Sequence, residues 1–389
     1  MIKGAQILVI ILSIFILKSF SCSNFKITPL QKILAQHPEL IYQKVYHEIP
    51  FEIPPFPIIP SMPHKGIFKE LFILHIPNGI MKSYDGHIII DDGFIEELVW
   101  GDNNLRLIPQ NTQEINPLNT IQIPGKVLVL SQIGSMNYCH WILEILGRLA
   151  IIEMNNIEYD WICVSDNKPF IKKIFELWGI DPAIVINPID QNFTIQAETL
   201  IIPSLVTRTD LGHKHFGNFV HSNITLYTRN KLLNAANQYT IDTSHFSKRI
   251  FLSRKDGYNS RRILNEDEIF TALEPYGFKQ YILNNLSLIE QIKLFNNAEI
   301  IIGEHGAGMA NTLFCEPGCK IIELFHHFIP IDFWYISSLV GANYTSINTL
   351  NIDADFFKDC QQDGIRLGRA FNAQVTIPLN IIYEIIKTL

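Results

Sequence analysis

The sequence predicts an α/β protein built around open parallel sheets. Three observations carry this. The first is the run from Ile300 to Phe325. Ile300 to Ile302 is short and wholly apolar, which suits a strand buried on both faces. The turn Gly303-Glu304-His305-Gly306-Ala307-Gly308 follows, and Met309 to Phe314 begins a helix directly. Pro317-Gly318 breaks that helix, and Lys320 to Phe325 reads as a second buried strand. Strand, turn, helix and strand make one βαβ unit, whose ligands are expected at the carboxyl ends of the strands. The second observation is that strand-like and helix-like runs alternate through both halves. The third is composition: 389 residues, 47% hydrophobic and 18% charged, suffice for a large core and two domains of ordinary size.

In chain order, residues 1–23 stand apart. Lys3, an apolar run from Ile7 to Leu17 and the small residues around Ser19 to Ser23 describe a signal peptide or, alternatively, an uncleaved signal anchor. Both point to the secretory pathway or an exported, membrane-associated protein; the cytoplasmic face of a membrane is the alternative. Sequons at Asn192, Asn223, Asn285 and Asn343 agree with export but arise readily in an Asn-rich chain. Residues 24–65 form a lead-in whose prolines, Pro50 to Pro63, exclude helix. Residues 66–242 form the first α/β domain. Hairpin-like runs, including Ile88 to Ile90, precede a strand at Val127 to Leu130 and a helix from Asn137 to Ile152. Strand and helix then alternate through Trp161–Val164, Pro169–Trp178, Ala183–Ile186 and Thr199–Ile202, ending in one long helix from Phe219 to Tyr239.

Residues 243–377 form the second domain. Strands are expected at Arg249–Leu252, Phe278–Leu283 and Tyr344–Leu350, with helices at Asn265–Leu273, Ser287–Asn296 and Trp334–Leu339. Asn265 would cap its helix, with Glu268 at the capping-box position. Pro378 starts a terminal helix over residues 378–389.

The net charge of −7 argues against nucleic-acid binding through a global positive field. No C-x-x-C pair supports zinc or thioredoxin-type chemistry. Cys315 and Cys319 read as turn-flanking residues or as a disulfide.

Three clusters can carry chemistry. Glycines 306 and 308 would let a phosphate approach the backbone at a helix N-terminus, although any α/β protein needs such turns somewhere. Arg249, Arg254, Lys255, Arg261 and Arg262 surround the end of a strand. Arginine forks match phosphate oxygens, yet these residues can equally pair with Asp256, Glu266 and Asp267. Asn137, His140, Glu144 and Arg148 fall along one helix face. A histidine beside a carboxylate can act as a general base, while the plainer reading is an Asn-capped helix with a Glu–Arg pair. Asp353-Ala354-Asp355 matches a short cation-binding pattern late in the chain.

Together the clusters resemble glycosyltransferase family 61, the group containing capsular-polysaccharide, O-linked N-acetylglucosaminyl- and xylan arabinosyl-transferases. The resemblance lies in Asn137-Tyr138-Cys139-His140-Trp141 through Leu149, in Leu252-Ser253-Arg254 with Arg261 through Glu266, and in His305-Gly306-Ala307-Gly308 through Leu324. Gly147 stands where proline is usual, and Cys315 and Cys319 replace the more usual residues. The resemblance implies a GT-B architecture, two Rossmann-like domains facing across a cleft. It also implies inverting transfer from a nucleoside-diphosphate sugar, with UDP expected, to a glycan, polysaccharide or glycoprotein, with no cofactor required. On it, Arg254 and Arg262, then Arg261, clamp the diphosphate. His305, Gly306, Ala307, Gly308 and Asn311 hold the donor, and Glu323 meets the ribose. His140 or Glu144 is the base, and Asn137 and Arg148 lie on the acceptor side. A non-catalytic carbohydrate-binding protein of the same fold is the alternative, and a nucleotide-dependent oxidoreductase a third.

Overall fold

A computed structural model describes residues 26–57, 62–82, 86–91, 93–99, 120–187, 194–211, 219–256, 262–325, 331–349 and 374–389. The segment 1–23, the sequon at Asn192, Arg261 and Asp353–Asp355 lie outside the described residues.

Two sheets organise the chain. In the first, Thr120–Val129 is central. It runs parallel to Thr194–Pro203 on one side and to Trp161–Cys163 on the other, with Val185–Ile186 beyond. Outward from Thr194–Pro203 the sheet turns antiparallel. Leu71–Pro77 and Ile80–Lys82 pair with it, and His87–Ile90 and Gly93–Ile95 continue the meander. The proline-rich lead-in contributes Ile49–Glu52, a strand pairing with Lys65–Phe68 in a separate two-stranded sheet.

The second sheet is wholly parallel, in the order Phe278–Tyr281, Arg249–Leu252, Ile300–Glu304, Lys320–Phe325, Asn343–Asn348. Its middle strands bury nearly every residue, as a sheet covered on both faces requires. By chain position the order is 2-1-3-4-5, so the winding reverses between Arg249–Leu252 and Ile300–Glu304.

Most helices follow the expected spans, including Pro169–Trp178, closed by Gly179 at φ 85°. Three details differ. The long helix is Ser222–Asn237, shorter at both ends than expected. The stretch Ala307–Phe314 is a 3-10 helix rather than an α-helix. Asn265 does not cap Glu266–Leu273; its amide instead donates to Ile377 O at 2.8 Å and accepts from Ile377 N at 3.0 Å, pinning the segment before the terminal helix Leu379–Lys387. The capping box lies one helix later, where Ser287 and Glu290 exchange bonds at the start of Leu288–Asn296.

The largest apolar cluster runs through both halves. It joins residues such as Leu128, Trp141 and Ile224 to Ile250, Leu313 and Phe333. Arg229 reinforces it, donating to Leu313 O and Cys315 O at 2.8 Å each. Cys315 and Cys319 are buried free thiols, so the disulfide alternative falls. Among the described residues, no helix is long and apolar enough to cross a membrane.

Candidate active site

A cavity of about 840 Å³ opens where the second sheet reverses its winding. That is the position at which open α/β sheets bind ligands, and the volume lies within the roughly 300–1,000 Å³ usual for small-molecule sites. Its floor is the carboxyl ends of the two strands flanking the reversal. Leu252 leads into Ser253-Arg254, and Glu304 leads into Gly306-Ala307-Gly308.

Glu266, 3% exposed, braces the first of these turns. Its Oε1 accepts from Ser253 Oγ at 2.5 Å and Gln280 Nε2 at 2.7 Å, and its Oε2 accepts from Arg254 N at 2.9 Å. The Arg254 guanidinium then lies on the Gly306 backbone: a Cβ at 306 would stand 2.4 Å from Nη1. A side chain at 306 would therefore displace the Arg254 guanidinium from the turn. Arg254 Nε has no hydrogen-bond partner among the described residues, and Glu304 Oε2 sits 3.8 Å away. A cation over a glycine turn, at the start of a helix, is arranged to receive an anion.

The opposite wall comes from the first half: Asn137, Tyr138, Pro169 and Phe170. Tyr138 OH donates to Asn311 Oδ1 at 2.6 Å, and Asn311 Nδ2 donates to Gln291 Oε1 at 3.1 Å. Gln291 in turn holds Leu283 O and Leu286 O, in the loop that forms another side of the cavity.

Two histidine–carboxylate pairs follow lining residues in the chain, His140–Glu144 after Asn137 and Tyr138 and His305–Glu323 from the turn before Gly306, but none of the four is among the residues that line the cavity. Asn137 accepts from Cys139 N at 2.8 Å and so caps the helix carrying the first pair, as the plainer sequence reading had it. The helix then widens into a π turn over Trp141–Ile145 before resuming as α-helix at Leu146–Met154. His140 Nδ1 and Glu144 Oε1 are 2.6 Å apart. A carboxylate only accepts, so Nδ1 carries the proton. Burial disfavours the imidazolium, but the charge and hydrogen bond of Glu144, with Asp332 adding, leave the ring pKa above its ordinary value. In the second pair, His305 Nδ1 lies 2.6 Å from Glu323 Oε1, and Tyr344 OH donates to Glu323 Oε2 at 2.5 Å. The His305 ring packs on Phe333 with centroids 5.0 Å apart.

Several expected site residues are engaged within the protein. Glu323 is fully buried, with its oxygens engaged by His305 and Tyr344. Asn311 is buried, joins the two halves through Tyr138 and is not among the residues that line the cavity. Arg148 is built into the first sheet. Its guanidinium donates to Val129 O at 2.9 Å, Ser131 O at 3.1 Å and Pro203 O at 3.2 Å. Burial lowers its pKa to about 10, with Glu144 opposing. Arg262 is exposed and is not among the residues that line the cavity, and its backbone oxygen accepts from Val375 N. Arg254, Gly306, Ala307 and Gly308 do line the cavity, as does Asn137. Sequence reasoning passed over the bracing roles of Glu266, of Tyr344 and of Gln132, whose Nε2 donates to Glu144 Oε2 at 2.8 Å. Only Glu266 carried a signal, as an acidic residue among the arginines.

The cation and the glycine turn thus lie at the winding reversal of an all-parallel sheet, where open α/β sheets place their ligands. The model of the family described as Glycosyltransferase 61 matches residues 138–322, so the resemblance read from the three motifs holds over that stretch. Similar curated proteins are EGF domain-specific O-linked N-acetylglucosamine transferases. That of Drosophila melanogaster is 33% identical over 97 residues, covering 24% of this chain and 18% of the relative. That of Mus musculus is 32% identical over 80 residues, 19% of this chain and 15% of the relative. That of Xenopus laevis is 37% identical over 71 residues, 17% of this chain and 14% of the relative. The matched stretch thus spans less than a fifth of each of these relatives.

Proposed function

We propose that the protein is an inverting glycosyltransferase of GT-B type, with a first domain over 66–242 and a donor-binding domain over 243–377. The observation that carries this is Arg254 laid across Gly306 at the winding reversal of the second sheet. The donor is a nucleoside-diphosphate sugar, with UDP as the nucleotide. The diphosphate lies against Arg254 and the backbone of Gly306 to Gly308, and Arg261 is a further candidate cation for it. As the bond from the anomeric carbon to the diphosphate oxygen breaks, negative charge grows on the leaving group, where a fixed cation and helix N–H groups stabilise it. The acceptor hydroxyl of a glycan or glycoprotein attacks the same carbon from the opposite side and gives its proton to the His140–Glu144 pair. No cofactor is required. We place the reaction in the secretory pathway or at a membrane beyond the cytoplasm, as residues 1–23 imply.

The test is binding and turnover of a nucleotide-sugar panel, with and without chelator, beginning with UDP-N-acetylglucosamine because the relatives' names specify that sugar. UDP-sugar binding that survives chelator is expected. Arg254→Ala, folded by circular dichroism, is expected to weaken it by about 10- to 100-fold, the loss of one or two charge-assisted hydrogen bonds. Near-wild-type affinity in that variant would remove the clamp. Sugar affinity without nucleotide affinity would indicate a non-catalytic carbohydrate binder.

A further inference from the structure

We propose that Gln132 is a positioning residue that makes Glu144 the orienting carboxylate and assigns the base function to His140 Nε2. The inference rests on the glycosyltransferase reading for its effect on turnover, but not for the geometry.

Glu144 is 4% exposed and Gln132 3%. Glu144 Oε1 accepts from His140 Nδ1, and Oε2 accepts from Gln132 Nε2 at 2.8 Å. The amide must present its nitrogen, because the amide oxygen would face a carboxylate oxygen. Accordingly, Gln132 Oε1 has no partner among the described residues. Both Glu144 oxygens thus serve to fix its own plane and the imidazole, which suits an orienting group.

The loop from Ser131 to Asn137 is built to hold Gln132 there. Arg148 grips Ser131 O, and Trp141 Nε1 donates to Ser135 O at 2.6 Å. Gly134, at φ 84°, passes so close beneath the ring that a Cβ there would stand 2.7 Å from His140 Cδ2. Glu144 and Cys139 are the titratable groups beside the ring on its own helix. Asp332 faces it from the helix Asp332–Leu339, and Arg148 lies beyond Glu144. The helix Ala307–Phe314, packed against the same turn, brings no charged side chain.

In transfer, the acceptor O–H proton passes to Nε2 as the new oxygen–carbon bond forms and the diphosphate departs. The imidazolium is held by Glu144 until the proton is released to solvent. Without the Gln132 N–H, the buried Glu144 charge loses a donor and draws the imidazolium proton harder. Without the Glu144 charge, burial acts on the ring alone.

The experiment is nitrogen NMR of the His140 imidazole in the full chain, with pH profiles of kcat/KM where turnover is found. In the unaltered protein the neutral ring is expected as the Nδ1–H tautomer. Gln132→Leu should raise the His140 pKa by about one pH unit and move the acid limb of the profile with it, lowering turnover at neutral pH about tenfold while donor affinity is unchanged. Glu144→Gln should lower the pKa instead. Should Gln132→Leu fail to fold, Gln132→Asn, one methylene short of its partner, is read for the same upward shift. An Nε2–H neutral ring, or an unmoved pKa in a folded Gln132 variant, overturns the assignment. The NMR shifts without turnover on any donor would support the positioning and overturn the transferase reading.

Discussion

Arg148 and Arg254 are one residue type at corresponding points of two sheets, and burial separates their roles. The first sheet also reverses its winding, between Thr120–Val129 and Thr194–Pro203. Arg148 fills that crevice, 3% exposed, with its donors on the carbonyls of Val129, Ser131 and Pro203. Arg254 occupies the reversal of the second sheet with its side chain 20% exposed and lining an open cavity. Two winding reversals thus carry an arginine each, one spent on backbone carbonyls and one beside an open cavity. His221 shows burial acting on stability. Its ring is fully buried against Phe68 and Tyr46, and neither nitrogen has a partner among the described residues. Burial lowers its pKa from 6.5 to about 4. The unfolded chain therefore binds the proton first, and stability is lost as pH falls from 6.5 towards 4, by at most about 1.4 kcal/mol per pH unit. His221→Phe keeps the aromatic contacts and should flatten that slope when urea unfolding is compared at pH 7 and pH 5. An equal loss in both proteins would assign the slope to other groups.

At the scale of elements, the second half was the more legible in sequence, for a physical reason. Its strands are buried on both faces and read as unbroken apolar runs, so Arg249–Leu252 and Lys320–Phe325 appear where periodicity puts them. Side-chain destinations were less legible. Asn265 and Ser287 both precede helices and both suit caps, but only contacts across the chain show that Ile377 claims Asn265. The π turn at Trp141–Ile145 was invisible because the apolar pattern of that helix is the same with or without one widened turn. Gly147, the departure from the family pattern, has a packing cause: Val206 and Ile224 would stand 3.1–3.3 Å from a Cβ there, leaving little space for a proline ring. The Ser287 cap matters beyond its helix, because it ends the loop from Leu283 to Ser287 that lines the cavity. Ser287→Ala should cost about 1 kcal/mol of stability and also weaken nucleotide binding. Lost stability with unchanged affinity would show that the loop is held by Gln291 alone.

At the scale of the whole molecule, the question is whether the two sheets behave as separate bodies. The sequence placed a polar link near residue 242 and thereby predicted two halves. The structure adds an apolar cluster running through both, with Arg229, Tyr335 and Tyr138 making hydrogen bonds from one to the other. Arg229 also pairs with Glu316 at 3.0 Å, and Tyr335 OH donates to Val220 O at 2.7 Å. Apolar residues such as Ile224, Phe219 and Phe333 cannot be exposed in one half without exposing their partners in the other, at about 25 cal/mol per Å². The two sheets should therefore unfold in one cooperative transition, with calorimetric and van't Hoff enthalpies equal. A UDP ligand bound only at the second sheet should raise the midpoint of that whole transition, by the mass-action stabilisation of the folded state. Two resolved transitions, with only the one belonging to the second sheet shifted by nucleotide, would mean that the shared cluster is too weak to couple them.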